Sequence, residues 1–271
     1  MALTTIGLMA LLGCFTGFMA GLLGIGGGMI ITPFLIMLIP SSLIPHEHIV
    51  HVAIATSLAT IAFTSLSSVR AHHKRGAVLW NVVASVAPGI LVGAVVGAQI
   101  AGWLPTFWLS LIFAAFVGFS AFKMFLNKSP RPDRNFPGTI GKFFMGIAIG
   151  ILSALVGAGG GFISVPWMIW CNVKMQNAVA TSAAFGFPIA LFGTIGYIIS
   201  GWNVSGLPPW PIDLGYICIP ALFSVAITSV LFAPLGAKVA HSIDTKPLKK
   251  IFACLLCFVC LYMIRQAYLA M

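Results

Sequence analysis

Two glycine runs carry most of the chemistry that can be read from this chain of 271 residues. Gly24-Ile25-Gly26-Gly27-Gly28-Met29-Ile30 recurs as Gly157-Ala158-Gly159-Gly160-Gly161-Phe162-Ile163, and in each copy a proline, Pro33 or Pro166, follows five residues after the last glycine. A helix interior disfavours glycine by about 1 kcal/mol relative to alanine, so four glycines in five residues mark a place where a helix stops. A helix restarting at Met29 or Phe162 has first N–H groups with no intrahelical acceptor, and the helix dipole adds positive charge there. Glycine lets a ligand approach such a backbone closely. Gly26, Gly27, Gly28, Gly159, Gly160 and Gly161 therefore form a candidate nest for a small anion. The competing reading is that these glycines serve only close helix packing. A dinucleotide site is disfavoured, because no strand pattern precedes either run.

Hydroxyls repeat along with the glycines. Ala55-Thr56-Ser57 recurs as Ala180-Thr181-Ser182, each inside an apolar stretch. Thr56, Ser57, Thr181 and Ser182 could donate to an oxyanion, or bond within and between helices as such residues commonly do in membranes. Thr32 and Ser164, read as paired positions just before the prolines, are weaker candidates.

The carboxylates point the same way by their positions. Glu47, Asp133, Asp213 and Asp244 are the only ones, and each falls in a loop or at a segment edge. A cation pathway or a carboxylate proton relay would place acids inside the bundle, so the cavity should favour anions. His46, His48 and His51 gather with Glu47 at one predicted mouth, and His72 and His73 lie among basic residues at the other. His48 and His51 are one helical turn apart, but a solvated polar cap is the plainer reading, and no metal or cofactor is expected. Cys254, Cys257 and Cys260 share one side of the last helix and read as packing residues.

Lipid must position these groups. The chain is 60% hydrophobic and 7% charged, against roughly 45–50% and about 25% in soluble chains. Eight long apolar stretches can be read, about 4–39, 49–69, 78–101, 105–126, 140–170, 177–200, 214–237 and 251–270. The first and fifth exceed the roughly 17–25 residues of one crossing, and they hold the glycine breaks. The first stretch is expected to be retained, because a signal peptide needs a basic start and the first Lys or Arg is Arg70. A net charge of +10 reflects cytoplasmic loops of a membrane protein better than nucleic-acid binding.

The duplication continues to the end of each half. Gly97-Ala98 matches Gly236-Ala237, and Ile112-Phe113-Ala114 matches Ile251-Phe252-Ala253 at the same offset. Charge then discriminates between topologies. If all eight stretches simply cross, the positive charges divide nine against five. If the two broken stretches return to the side where they begin, only Arg265 is left outside and the other thirteen Lys and Arg face the cytoplasm. The expected fold is therefore an all-α integral membrane protein of two inverted-topology repeats. Each opens with a glycine-broken, re-entrant first helix followed by three transmembrane helices. Residues 1–126 and 139–271 are the repeats, 127–138 the cytoplasmic linker, and the N-terminus lies outside.

Several of these segments resemble the TauE/SafE family of anion permeases, the sulfite exporters. The resemblance rests on Gly21 through Gly28 with Pro33, Ala55-Thr56-Ser57-Leu58, Phe63 through Ser68 and Ala71 through Gly76. In the second half it rests on Gly157 through Pro166, Ala180-Thr181-Ser182, Gly186-Phe187-Pro188 and Gly196-Tyr197. It implies a secondary transporter of sulfite, sulfonates or related small sulfur-containing anions, usually outward across a bacterial inner membrane. A proton or Na⁺ would be the coupling partner. An anion channel would need the same site. A membrane enzyme would need an intramembrane carboxylate pair, an HExxH or a nucleophile elbow, and none is present in the sequence.

Overall fold

A computed structural model describes residues 3–24, 27–40, 43–126, 135–208, 212–240, 242 and 246–270. Among them are ten helices: α1 (Leu3–Leu23), α2 (Gly28–Leu38), α3 (Ile49–His73), α4 (Trp80–Trp103), α5 (Thr106–Leu126), α6 (Thr139–Val156), α7 (Gly161–Trp170), α8 (Met175–Gly201), α9 (Ile219–Ala240) and α10 (Lys246–Leu269). Eight are long and apolar enough to cross a membrane; α2 and α7 are the short ones. Most of the linker expected at 127–138, and Gly26 in the first glycine run, lie outside the described residues.

Both overlong stretches split at their glycines, as the propensity argument requires. The long piece in each case comes first. α1 has 21 residues and α6 has 18, so the break falls after a crossing-length helix and the short helix follows it. The stretch read as 214–237 divides differently. Its first residues form a hairpin of β1 (Asp213–Leu214) and β2 (Ile217–Cys218), turned at Gly215 with φ 58°, and α9 begins only at Ile219.

Small residues let helix backbones touch. A Cβ added at Gly13, Gly17 or Gly21 of α1 would fall 2.4, 2.2 or 2.0 Å from the carbonyl oxygens of Val225, Ser229 and Ala233 on α9. On α4, Gly89, Gly93 and Gly97 stand in the same way against Phe143, Ile147 and Ile151 of α6. In both pairs the numbering advances together, so the paired helices run in the same direction. The most extensive helix contacts are matched when the two halves are exchanged. α1 packs on α9 and α6 on α4, α3 on α9 and α8 on α4, α2 on α3 and α7 on α8, while α3 meets α8 and α5 meets α10.

α3 and α8 form the enclosed centre, and they cross in opposite directions, Leu58 beside Gly193 and Ser65 beside Gly186. Apolar side chains such as Trp103, Leu231, Leu261 and Tyr268 point outward from the surrounding helices, the surface a bilayer would cover.

Candidate functional site

Each break is built from two left-handed glycines. Gly24 (φ 66°) and Gly157 (φ 65°) end α1 and α6, and their N–H groups donate to the carbonyls of Ala20 and Ser153. That is the conformation a helix end commonly adopts, and it is one that glycine takes without a steric penalty. Gly27 (φ 73°) and Gly160 (φ 77°) then cap the starts of α2 and α7. Their carbonyls accept from Ile30 and Ile31, and from Ile163 and Ser164. No side chain caps either start, so the first N–H groups keep their donor capacity for another partner.

The two breaks touch. A Cβ on Gly28 would lie 1.8 Å from the carbonyl oxygen of Gly157, which places the first residue of α2 directly on the glycine that caps the end of α6 at the other break. Gly24 in turn lies against the carbonyl of Val179 on α8.

The hydroxyls of the repeated Thr-Ser pairs fasten this arrangement in matching ways. Ser57 Oγ donates to the Gly157 carbonyl at 3.1 Å, and Ser182 Oγ donates to the Gly24 carbonyl at 2.9 Å. Thr181 Oγ1 accepts the N–H of Leu79 at 3.0 Å, just before α4, and Thr56 Oγ1 accepts the N–H of Cys218 at 3.0 Å, just before α9. All four bonds join one half of the chain to the other. The serine protons are thus directed at break carbonyls in this conformation, and an incoming anion would have to draw them away. Ser164 Oγ donates to Ser182 at 2.9 Å, while Thr32 Oγ1 is fully buried and has no partner. In the register of the prolines Thr32 corresponds to Val165, and Ser164 to Ile31, so these two are not repeat equivalents.

A third matched pair was missed from sequence because its residue types differ. His72 Nε2–H donates to the Gly21 carbonyl at 3.1 Å, and Tyr197 donates to the Ala154 carbonyl at 3.1 Å. Both positions follow the Thr-Ser pair by the same number of residues, and both carbonyls precede the helix-ending glycine by three. A longer-range alignment of the halves, carried past Thr181, would have exposed the pair.

The histidine cap also differs from expectation. His51 is buried, and its Nε2–H reaches the carbonyls of Ala101 and Leu104 at 3.1 and 3.0 Å, closing the end of α4. Its ring stacks on Tyr216 with centroids 5.2 Å apart. Burial raises the Tyr216 phenol above its usual range and keeps it neutral. His46, Glu47, His48, His51 and Tyr216 line a cavity of about 510 Å³ at this end of the bundle. Among the described residues no set of three or more His, Cys, Asp or Glu gathers as a metal site. Of the three cysteines on α10, Cys260 packs on the Ala114 carbonyl, whereas Cys254 and Cys257 are exposed.

Comparison with known proteins identifies the framework. The family model described as sulfite exporter TauE/SafE matches residues 9–263. The chain belongs to the TauE/SafE sulfite exporter family. A probable membrane transporter protein of Haemophilus influenzae is 34% identical over 96% of this chain and 98% of its own length. A counterpart in Methanocaldococcus jannaschii, described in the same words, is 27% identical over 95% of this chain and 94% of its own. Bacillus subtilis YdhB, also a probable membrane transporter protein, is 30% identical over 69% of this chain and 76% of its own. No solved structure matches. This TauE/SafE member is a multi-pass membrane protein of a transporter family, with the glycine breaks at the centre of its helix bundle.

Proposed function

We propose that the chain is a secondary transporter, of the exporter type, for sulfite, a sulfonate or a related small sulfur-containing anion, and that it works by alternating access. The observation that carries this reading is the contact between the two breaks, Gly28 against the Gly157 carbonyl, with one break contributed by each half. The uncapped start of α2 and the Ser57 hydroxyl both stand against the Gly157 carbonyl, where among the described residues no carboxylate lies, an environment that favours an anion; Thr181 and Ser182 serve the Gly24 side at a different depth along α3.

Helix directions support two halves of opposite orientation. α1, α3 and α9 run one way, and α4, α6 and α8 the other, judged from the residues that face each other along each pair. Since α1 and α3 are parallel, α2 has to bring the chain back toward the side where α1 began, which is the re-entrant arrangement expected for 1–126 and, inverted, for 139–271. Rocking of one half against the other would expose the anion to each side in turn. The interhalf bonds of the two Thr-Ser pairs are the contacts that such a motion would exchange. Under the charge rule the N-terminus is outside, and in a bacterium the membrane is the inner one.

Purified protein in liposomes, assayed with sulfite, sulfonates and sulfate under imposed pH or Na⁺ gradients, tests the reading. Gradient-dependent flux of a sulfur oxyanion is the expected result. Absence of flux for all of them, with no shift in thermal stability on adding any, overturns it.

A further inference from the structure

The two breaks are alike in backbone and unlike in the side chains that face them. Thr32 Oγ1 sits 3.0 Å from where a Cβ of Gly157 would lie, and Ser153 Oγ sits 3.2 Å from the corresponding point on Gly160. Both hydroxyls are buried, Thr32 0% and Ser153 1% exposed, and neither has a hydrogen-bond partner. A buried hydroxyl without a partner is costly, so two of them against one short segment call for an occupant. The equivalent positions in the other half are Val165 and Ala20, which bring no hydroxyl. Thr16, which touches Gly27 at the first break, already donates to the Leu12 carbonyl at 2.8 Å.

We propose that the break at Gly157–Gly161 is the one that grips the transported anion, and that Thr32 and Ser153 donate hydrogen bonds to its oxygens beside the start of α7. The proposal rests on the transport reading above and deepens it, because it makes the site unequal between the halves. The ligand class is an oxyanion with at least two terminal oxygens, which sulfite, sulfate and a sulfonate headgroup share. Thr32 comes from the first half and Ser153 from the second, so a bound oxyanion would hold the two halves together at this point and release them on leaving.

The test is binding of radiolabelled sulfite and sulfate to the purified full-length protein. Thr32→Val and Ser153→Ala give these positions the residue types of the other half. Each should weaken binding by roughly tenfold or more, as expected for losing a hydrogen bond to a charged group. Thr32→Ser keeps the hydroxyl and should restore most of the affinity. Without anion, Thr32→Val should melt no lower than the parent, since it removes a partnerless polar atom. Ser110→Ala, at another buried hydroxyl without a partner, should leave binding unchanged. If the parent binds sulfite and both variants match it within about twofold, the unequal site is wrong and the transport reading survives. If the parent binds and moves no oxyanion, both fall together.

Discussion

Replacing Gly28 by alanine probes the contact on which the functional reading depends. Gly28 has ordinary helical backbone geometry, so an alanine there meets no positive-φ penalty. Its Cβ would instead fall 1.8 Å from the Gly157 carbonyl oxygen and 2.9 Å from the Gly157 carbonyl carbon. A relaxed C···O contact is about 3.3–3.6 Å, so the two breaks must part by roughly 1.5 Å. The obstacle is backbone and cannot rotate away. Overpacking of this kind costs about 1–3 kcal/mol, and an immovable partner puts Gly28→Ala at the upper end. At roughly 2–4 °C per kcal/mol, the protein should melt about 6–12 °C lower, and transport should fall with it. Gly7→Ala is the control. Nothing lies within 4 Å of its Cβ, so it should be neutral or mildly stabilising. Thermal unfolding in lipid nanodiscs, with flux measured in parallel, compares the two. If Gly28→Ala melts and transports like Gly7→Ala, the breaks do not touch and the site has to be sought elsewhere.

Three further outcomes follow from the same geometry. Ser57→Ala removes the bond to the Gly157 carbonyl and should destabilise by about 1 kcal/mol in denaturant unfolding, and Ser182→Ala, which also takes the acceptor from Ser164, should cost more. Tyr197→Phe should cost about as much as Ser57→Ala, because it strips the donor from the buried Ala154 carbonyl while keeping the ring. In a cysteine-free background, Lys74→Cys and Lys174→Cys should react with an impermeant thiol reagent only from the inside, and Ser205→Cys only from the outside; labelling of Lys174→Cys from outside would remove the opposed orientation of the halves.

The breaks were legible in the sequence because the local physics is decisive there. No run of four glycines in five residues can remain helical in lipid, and the left-handed angles at Gly24, Gly27, Gly157 and Gly160 are those only glycine adopts freely. The repeated Thr-Ser pairs were also legible as positions, but their partners were not. Spacing says that Ser57 and Ser182 are equivalent; only tertiary packing says that each holds the other half's break. The burial of His51 is not legible in the sequence, because proximity to His46 and Glu47 reveals nothing about the end of α4 closing over it. The hairpin at 213–218 is hard to separate from the apolar stretch that follows it, and Gly215 is the local sign of its turn. The pairing of Gly13, Gly17 and Gly21 with α9 carries a four-residue period that could have been read in advance, though not the helix it would meet.

The central claim is that one small anion is handed across the membrane at the meeting of the two breaks, by a carrier. Counterflow measures this most directly. Liposomes containing the purified protein are loaded with unlabelled sulfite and diluted into labelled sulfite. A carrier should show transient uphill accumulation of label that depends on the internal anion and is lost in Gly28→Ala. Label entering at the same rate whether or not the inside is loaded would contradict alternating access and point to a channel. No entry at all would contradict the anion site itself.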